Sequence, residues 1–230
     1  FALKKADIVT VVSQKMYDNT IMISGQIKSN IFLLPNSPDF ETIPKVPIHK
    51  RNKKELVMSV GIFRDQVDVN KLVENLKALK KLNTDFLLTI IGFVDKEYID
   101  IFISHGLKEN VRFLGLVEYK KAVDVMSHAS IGITCYSAQK SYVYYADSLK
   151  IREYAAAGLP IVCDTIYGTA QEVKEYDAGF VYNSAQEMAI SINQLIENKN
   201  LYKQKSERAI FWAKKMDKKK LLRELYGKLL

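Results

Sequence analysis

Lys150 and Glu153 stand three positions apart inside the run DSLKIREYAAAGLPIV, residues 147–162. On a helix that spacing places both on one face. A cation beside a carboxylate suits a ligand with a phosphate end and a hydroxylated sugar end. The ammonium attracts the first, and the carboxylate accepts hydrogen bonds from the second. The same two residues also fit a plain surface ion pair on a helix packed over a sheet. The flanks argue for the helix itself. Ser148 can cap its start, Gly158 can take the left-handed conformation that ends it, and Pro160 cannot continue it. Leu149, Ala156 and Ala157 fall near one apolar stripe, with Ile151 and Tyr154 beside it, and IVC then opens an apolar strand.

The elements that must position this pair alternate along the chain. ADIVTVVS (6–13) reads as a buried strand, with a helix from about Gln14. NIFLLPNSPDF (30–40) is a short strand running into a turn, and the basic, proline-bearing stretch through Lys54 reads as a domain boundary. Strands are then expected at 55–63, 86–93, 111–115, 130–136, 160–164 and 179–183. Helices are expected over 69–82, about 96–105, about 119–128, from Ser148, over 168–175 and 185–198, and from about Asn200 to the end. Continuous apolar strands alternating with helices predict an α/β fold, a doubly wound, Rossmann-like parallel sheet. Ligands bind beyond the carboxyl ends of such strands, where Gly61, Gly92 and Gly115 each close one. There is no G-x-G-x-x-G and no Walker A pattern.

With 48% apolar residues the chain can build a substantial core, yet no run approaches the roughly 20 apolar residues of a membrane span. It opens FALKKADIV, with neither a Met nor a signal peptide, which suggests a fragment. Cys135 and Cys163 lie in apolar runs and are expected to be buried free thiols. The three histidines are scattered, and no metal site is expected. The net charge of +8 favours anionic partners. Its basic residues concentrate in segments 45–54 and 213–230. Neither interleaves aromatic residues as single-strand binders do, so nucleic acid is not an expected partner.

The run 147–162 resembles the nucleotide-binding signature of retaining GT-B glycosyltransferases of the large family 4, roughly S-L-K-L-x-E-Y-x-A-x-G-x-P-V-V. Ser148, Leu149, Lys150, Glu153, Tyr154, Ala155, Gly158, Pro160 and Val162 match it. Further landmarks resemble the same family. Pro35, Asn36 and Asp39 match its "PN-x-x-D" connection, and ELVMSVGIF resembles the first strand of its second domain. VRFLGLVEY resembles the strand and turn whose backbone reads the base, at about Val117 and Glu118. The closing helix with Phe211 and Trp212 resembles the one that returns to the first domain. Two departures stand out. The family's E-x7-E pair would place a glutamate where Tyr145 stands, with Asp147 a nearby acid out of register. Its "G-R-L-x-x-x-K-G" loop here runs GIFRDQVD, leaving Arg64 as the cation after Gly61.

The resemblance implies the C-terminal half of a GT-B glycosyltransferase of the hexosyltransferase type. Residues 1–43 would end the N-terminal domain and linker, 44–200 would form the nucleotide-sugar-binding domain, and 201–230 would pack back toward the N-terminal domain. Glu153 would accept the ribose hydroxyls. Lys150, Arg64 and the backbone at Gly168 and Thr169 would face the diphosphate, with Gly61, Val117, Glu118, Tyr145, Ser148 and Leu149 completing the donor site. The donor would be a nucleotide-diphosphate sugar, UDP rather than GDP as the commoner base. No cofactor is implied, and no D-x-D motif points to a metal. The acceptor would be a glycan or lipid-linked glycan held by the absent N-terminal domain, in surface polysaccharide biosynthesis. The location implied is cytoplasmic, with peripheral contact at the membrane's inner face open to the basic tail. The isolated fragment would be inactive. Two alternatives stay open: a non-catalytic sugar-nucleotide-binding module and a UDP-sugar epimerase of the same architecture.

Overall fold

The computed structural model describes residues 5–25, 30–137, 145–165 and 168–229, without the side chains of Arg64, Asp65, Lys228 and Leu229. Two parallel sheets are present among them. The smaller pairs β1 (Val9–Val11) with β2 (Ile31–Leu33). Helix α1 (Gln14–Ser24) follows β1, with Ser13 capping it through Met16 N–H.

The larger sheet has six strands in the order β5-β4-β3-β6-β7-β8, all parallel. They are β3 (Glu55–Ile62), β4 (Leu87–Phe93), β5 (Val111–Gly115), β6 (Ile131–Ile133), β7 (Ile161–Asp164) and β8 (Gly179–Tyr182). The helices between them are α2 (Phe63–Gln66), α3 (Val69–Leu82), α4 (Lys96–Ser104), α5 (Tyr119–His128), α6 (Leu149–Ala157) and α7 (Gly168–Glu175), and α8 (Ala185–Glu197) follows β8. Helices α9 (Lys199–Lys215) and α10 (Lys218–Leu229) follow.

Side-chain alternation along the strands explains why both faces are covered. Leu56, Met58 and Val60 of β3 join a core with Leu72, Leu76 and Leu79 of α3 and Met188 and Ile192 of α8. Val57, between them, joins the opposite core with Val123 and Met126 of α5, Ile151 and Tyr154 of α6, and Trp212 of α9. This is the expected doubly wound sheet. Cys135 and Cys163 are buried free thiols, also as expected.

Strand order reverses between β3 and β6, and this switch point is where the sheet opens. β6 pairs with β3 only at Leu56–Ile131 and Val57–Gly132, whereas β3 continues to Ile62. Past Val57 the Ser59 N–H donates instead to the Tyr154 hydroxyl, at 2.7 Å. Tyr154 reaches it by lying flat on Gly132, where a Cβ would stand 2.4 Å from the ring. The crevice therefore opens at the carboxyl ends of β3 and β6, the place this topology reserves for ligands.

Four expectations change. The buried strand expected at 6–13 shortens to Val9–Val11, with Ile8 and Thr10 exposed. The strand at 130–136 shortens to Ile131–Ile133, which alone pair in the parallel ladders with β3 and β7, while Tyr136 forms an isolated antiparallel bridge with Val67. The short helix α2 was not anticipated. The closing helix is two helices, because Asp217 interrupts it and caps the second by accepting from Lys220 N–H at 3.1 Å.

Candidate nucleotide site

Helix α6 begins as its sequence requires. Ser148 Oγ accepts from Ile151 N–H at 3.4 Å, and Gly158 ends the helix at φ 74°. Arg51, from the basic linker, then takes up the last carbonyls. Its guanidinium donates to Gly158 O at 2.7 Å and Ala157 O at 2.9 Å. One charge of that basic segment is therefore a buried helix stop rather than a solvated surface group.

The start of α6 meets the start of α7. Thr169 Oγ accepts from Ser148 N–H at 3.0 Å and donates to Asp147 Oδ1 at 2.7 Å. Two helix N-termini, each with backbone N–H groups that have no acceptor inside the helix, are thus held side by side at the carboxyl edge of the sheet. Their partial positive charges add, which favours an anion there. Gly168 and Leu149 supply such N–H groups. The Thr169 side chain is spent on Asp147 and Ser148, so only its backbone can serve a ligand.

Lys150 is half-buried at this edge, with no ion-pair or hydrogen-bond partner among the described residues. Glu153 lies one turn further on and is 6% exposed. The two do not form the surface ion pair that their spacing also allowed. Glu153 Oε1 instead accepts from the Tyr119 hydroxyl at 2.9 Å. Burial raises its pKa above the ordinary carboxylate range, with the Tyr119 hydrogen bond and the Lys150 charge opposing that shift. A half-satisfied buried carboxylate marks a place where a ligand can add hydrogen bonds.

The remaining predicted residues divide. Val117 and Glu118 form the turn between β5 and α5 and lead directly to Tyr119. Gly61 lies one residue before the end of β3, its N–H given to Gln66 Oε1 at 2.9 Å. Arg64 falls in α2 just after it, with its side chain outside the described residues. Tyr145 is drawn toward α1: its carbonyl accepts from Ser13 Oγ at 2.6 Å, and it lines a cavity of about 280 Å³ with Lys15, Asp18, Asn19 and Met22. Asp147 is not a free acid. It is buried and bound by Arg152, Thr169 and the Asn36 N–H, so it cannot replace the missing glutamate. A hollow of about 420 Å³ lined by Ile48, Lys53, Ser130 and Lys199 lies at the opposite, amino end of the strands.

Sequence reasoning missed two residues. Arg152, 2% exposed, bridges Asp147 and Glu172 and packs over Trp212, with the guanidinium carbon 5.5 Å from the ring centroid. Tyr119 supplies the partner of Glu153. Its position just after the Val117–Glu118 turn was the available signal; Arg152 gave little, since Glu172 and Trp212 come from distant segments.

The family model for glycosyl transferases group 1 matches residues 40–212. The chain is 26% identical over 215 residues to the uncharacterized glycosyltransferase MJ1069 of Methanocaldococcus jannaschii, a match covering 90% of this chain and 53% of that protein. It thus spans about half the length of that curated relative. Its fold is similar to that of S. aureus TarM solved with fondaparinux, alpha-GlcNAc-glycerol and UDP, at TM-score 0.79 and 17% identity. That alignment covers 98% of this chain and 45% of the other. Anabaena Alr3699/HepE, solved with UDP, aligns at TM-score 0.78 and 16% identity over 97% of this chain and 64% of its own. WaaG, described as a glycosyltransferase of lipopolysaccharide biosynthesis, aligns at TM-score 0.74 and 18% identity over 94% and 60%. The switch-point crevice, the capped helix with Lys150 and Glu153, and the family match converge: this chain belongs to the glycosyl transferases group 1 family and has the Rossmann-like fold of GT-B glycosyltransferases.

Proposed function

We propose that this chain binds a nucleotide-diphosphate sugar, UDP-linked rather than GDP-linked, and supplies the donor half of a glycosyltransferase. One observation carries the reading. A buried carboxylate with spare acceptor capacity, Glu153, stands one turn from Lys150, which has no partner among the described residues, and from two adjoining helix N-termini at the switch point. That arrangement matches a ribose at one end and a diphosphate at the other. UDP is preferred because TarM and Alr3699/HepE, which share the fold, were solved with it.

In this reading residues 44–200 form the donor domain, 1–43 end its partner domain, and 201–230 return toward that partner. As the anomeric bond breaks, negative charge grows on the leaving diphosphate. Lys150, the N-termini of α6 and α7, and Arg64 stabilise it. No carboxylate-bound metal is needed, and the anomeric configuration is retained. The acceptor is a glycan or lipid-linked glycan of a surface polysaccharide, held by the remainder of a longer protein. No helix among the described residues is long and apolar enough to cross a membrane.

The test is calorimetric titration with UDP, GDP and ADP beside Glu153→Ala. One diphosphate should bind selectively, and the variant should weaken it at least about tenfold, the loss of one charge-assisted hydrogen bond. A folded wild-type chain that binds none of the three refutes the donor site.

A further inference from the structure

We propose that Tyr119 is a positioning residue of the nucleotide site, its hydroxyl holding the Glu153 carboxylate in the orientation that receives the ribose. The inference rests on the donor-site reading of Glu153 and adds a second residue to it.

The geometry is specific. The turn after β5 delivers Tyr119 to the first position of α5, and its hydroxyl stands 2.9 Å from Glu153 Oε1 although the residue is 55% exposed. Among the described residues no other donor reaches Glu153. A carboxylate offers about four acceptor positions on two oxygens. With one position on Oε1 taken, Oε2 and the rest remain for a sugar's hydroxyl pair. The tyrosine therefore fixes the carboxylate's rotation without filling the site. A free glutamate would have to give up side-chain rotation on binding, and Tyr119 removes much of that cost beforehand.

Burial and charge act on both members of the pair. Burial, then the Glu153 charge, then Asp39 of the linker push the Tyr119 phenol well above its usual range, so it remains a donor. Burial raises the Glu153 pKa, and the Tyr119 hydrogen bond and then the Lys150 charge oppose that rise and favour the ionised form. Tyr154 follows Glu153 in sequence but turns inward to Ser59, so it serves the sheet and not the ligand.

The test titrates UDP into this chain and into Tyr119→Phe between pH 5 and 8, with thermal melting as a folding control. We expect Tyr119→Phe to remain cooperatively folded, melting no more than a few degrees below the wild type, and to bind UDP roughly three- to tenfold more weakly at pH 7.5, as for loss of one ordering hydrogen bond. The pH profile separates positioning from packing. Binding requires the ionised carboxylate, and Tyr119 holds the Glu153 pKa down. In the variant, affinity should therefore begin to fall at a higher pH on acidification. Equal affinity with an unchanged pH profile overturns the inference, and so does tighter binding, which would make Tyr119 a competitor of the ribose. Absence of UDP, GDP and ADP binding in the wild type overturns the donor site itself and this inference with it.

Discussion

Replacing Arg152 by leucine should cost more stability than any single surface change, and the structure sets the size. The guanidinium donates to both Asp147 oxygens, at 2.9 and 3.1 Å, and to both Glu172 oxygens, at 2.8 and 3.2 Å. Arg152 and Asp147 side chains are 3% and 2% exposed. Burial would lower the arginine pKa, yet the two carboxylates more than offset it and raise it. Arg152→Leu leaves the Asp147 charge buried, with Thr169 Oγ and the Asn36 backbone N–H as its carboxylate's remaining partners among the described residues. Breaking such a pair costs about 3–5 kcal/mol, against a typical total of about 5–15 kcal/mol. In urea unfolding, a slope of about 2–3 kcal/mol/M turns that into a midpoint lower by roughly 1–2 M. Because the loss is chiefly an orphaned charge, the double variant Arg152→Leu with Asp147→Asn should recover part of it. A single-variant cost below about 1 kcal/mol, or a double variant no better than the single, refutes the argument.

Tyr154→Phe should destabilise by about 1–3 kcal/mol in urea, since Ser59 N–H loses its acceptor where β6 has already left β3; an unchanged midpoint would mean another acceptor is at hand. Glu153→Gln should separate stability from binding. Burial raises the folded pKa of Glu153 above its ordinary 4.5, so the unfolded chain ionises first and wild-type stability falls as pH rises from there toward the raised value. The variant should gain on the wild type across that interval while binding UDP poorly, and parallel stability curves would contradict this. Both thiols should resist iodoacetamide at pH 8 in the folded protein: burial pushes Cys135 up to about 12 and Cys163 well above its usual range. Alkylation of either at the rate of a small thiol would show that its strand opens.

Local pattern made much of the fold legible. Helices α3 and α5 span Val69–Leu82 and Tyr119–His128, the bounds their apolar spacing predicts, and Ser148 and Gly158 cap α6 as their residue types require. Each of those signals lies within a few residues of what it specifies. What escaped depends on distant partners. Arg152 looks like a surface position of an amphipathic helix until Asp147, Glu172 and Trp212 surround it. The pairing of Thr169 with Ser148 needs two helix starts twenty-one positions apart to meet. The break at Asp217 was readable in principle: an aspartate three residues before a helical N–H is a cap, but the lysines after it masked the boundary.

Phe40 N–H donates to Asp217 Oδ2 at 3.3 Å, and Lys219 pairs with Asp39 at 3.6 Å and with Glu41. The backbone therefore comes into the six-stranded unit and leaves it at one point on the surface. A block with such neighbouring ends can be excised from one gene and spliced into another without stretching either backbone. Recombination could then exchange this unit whole, carrying the six-stranded sheet and its switch-point site together in one step.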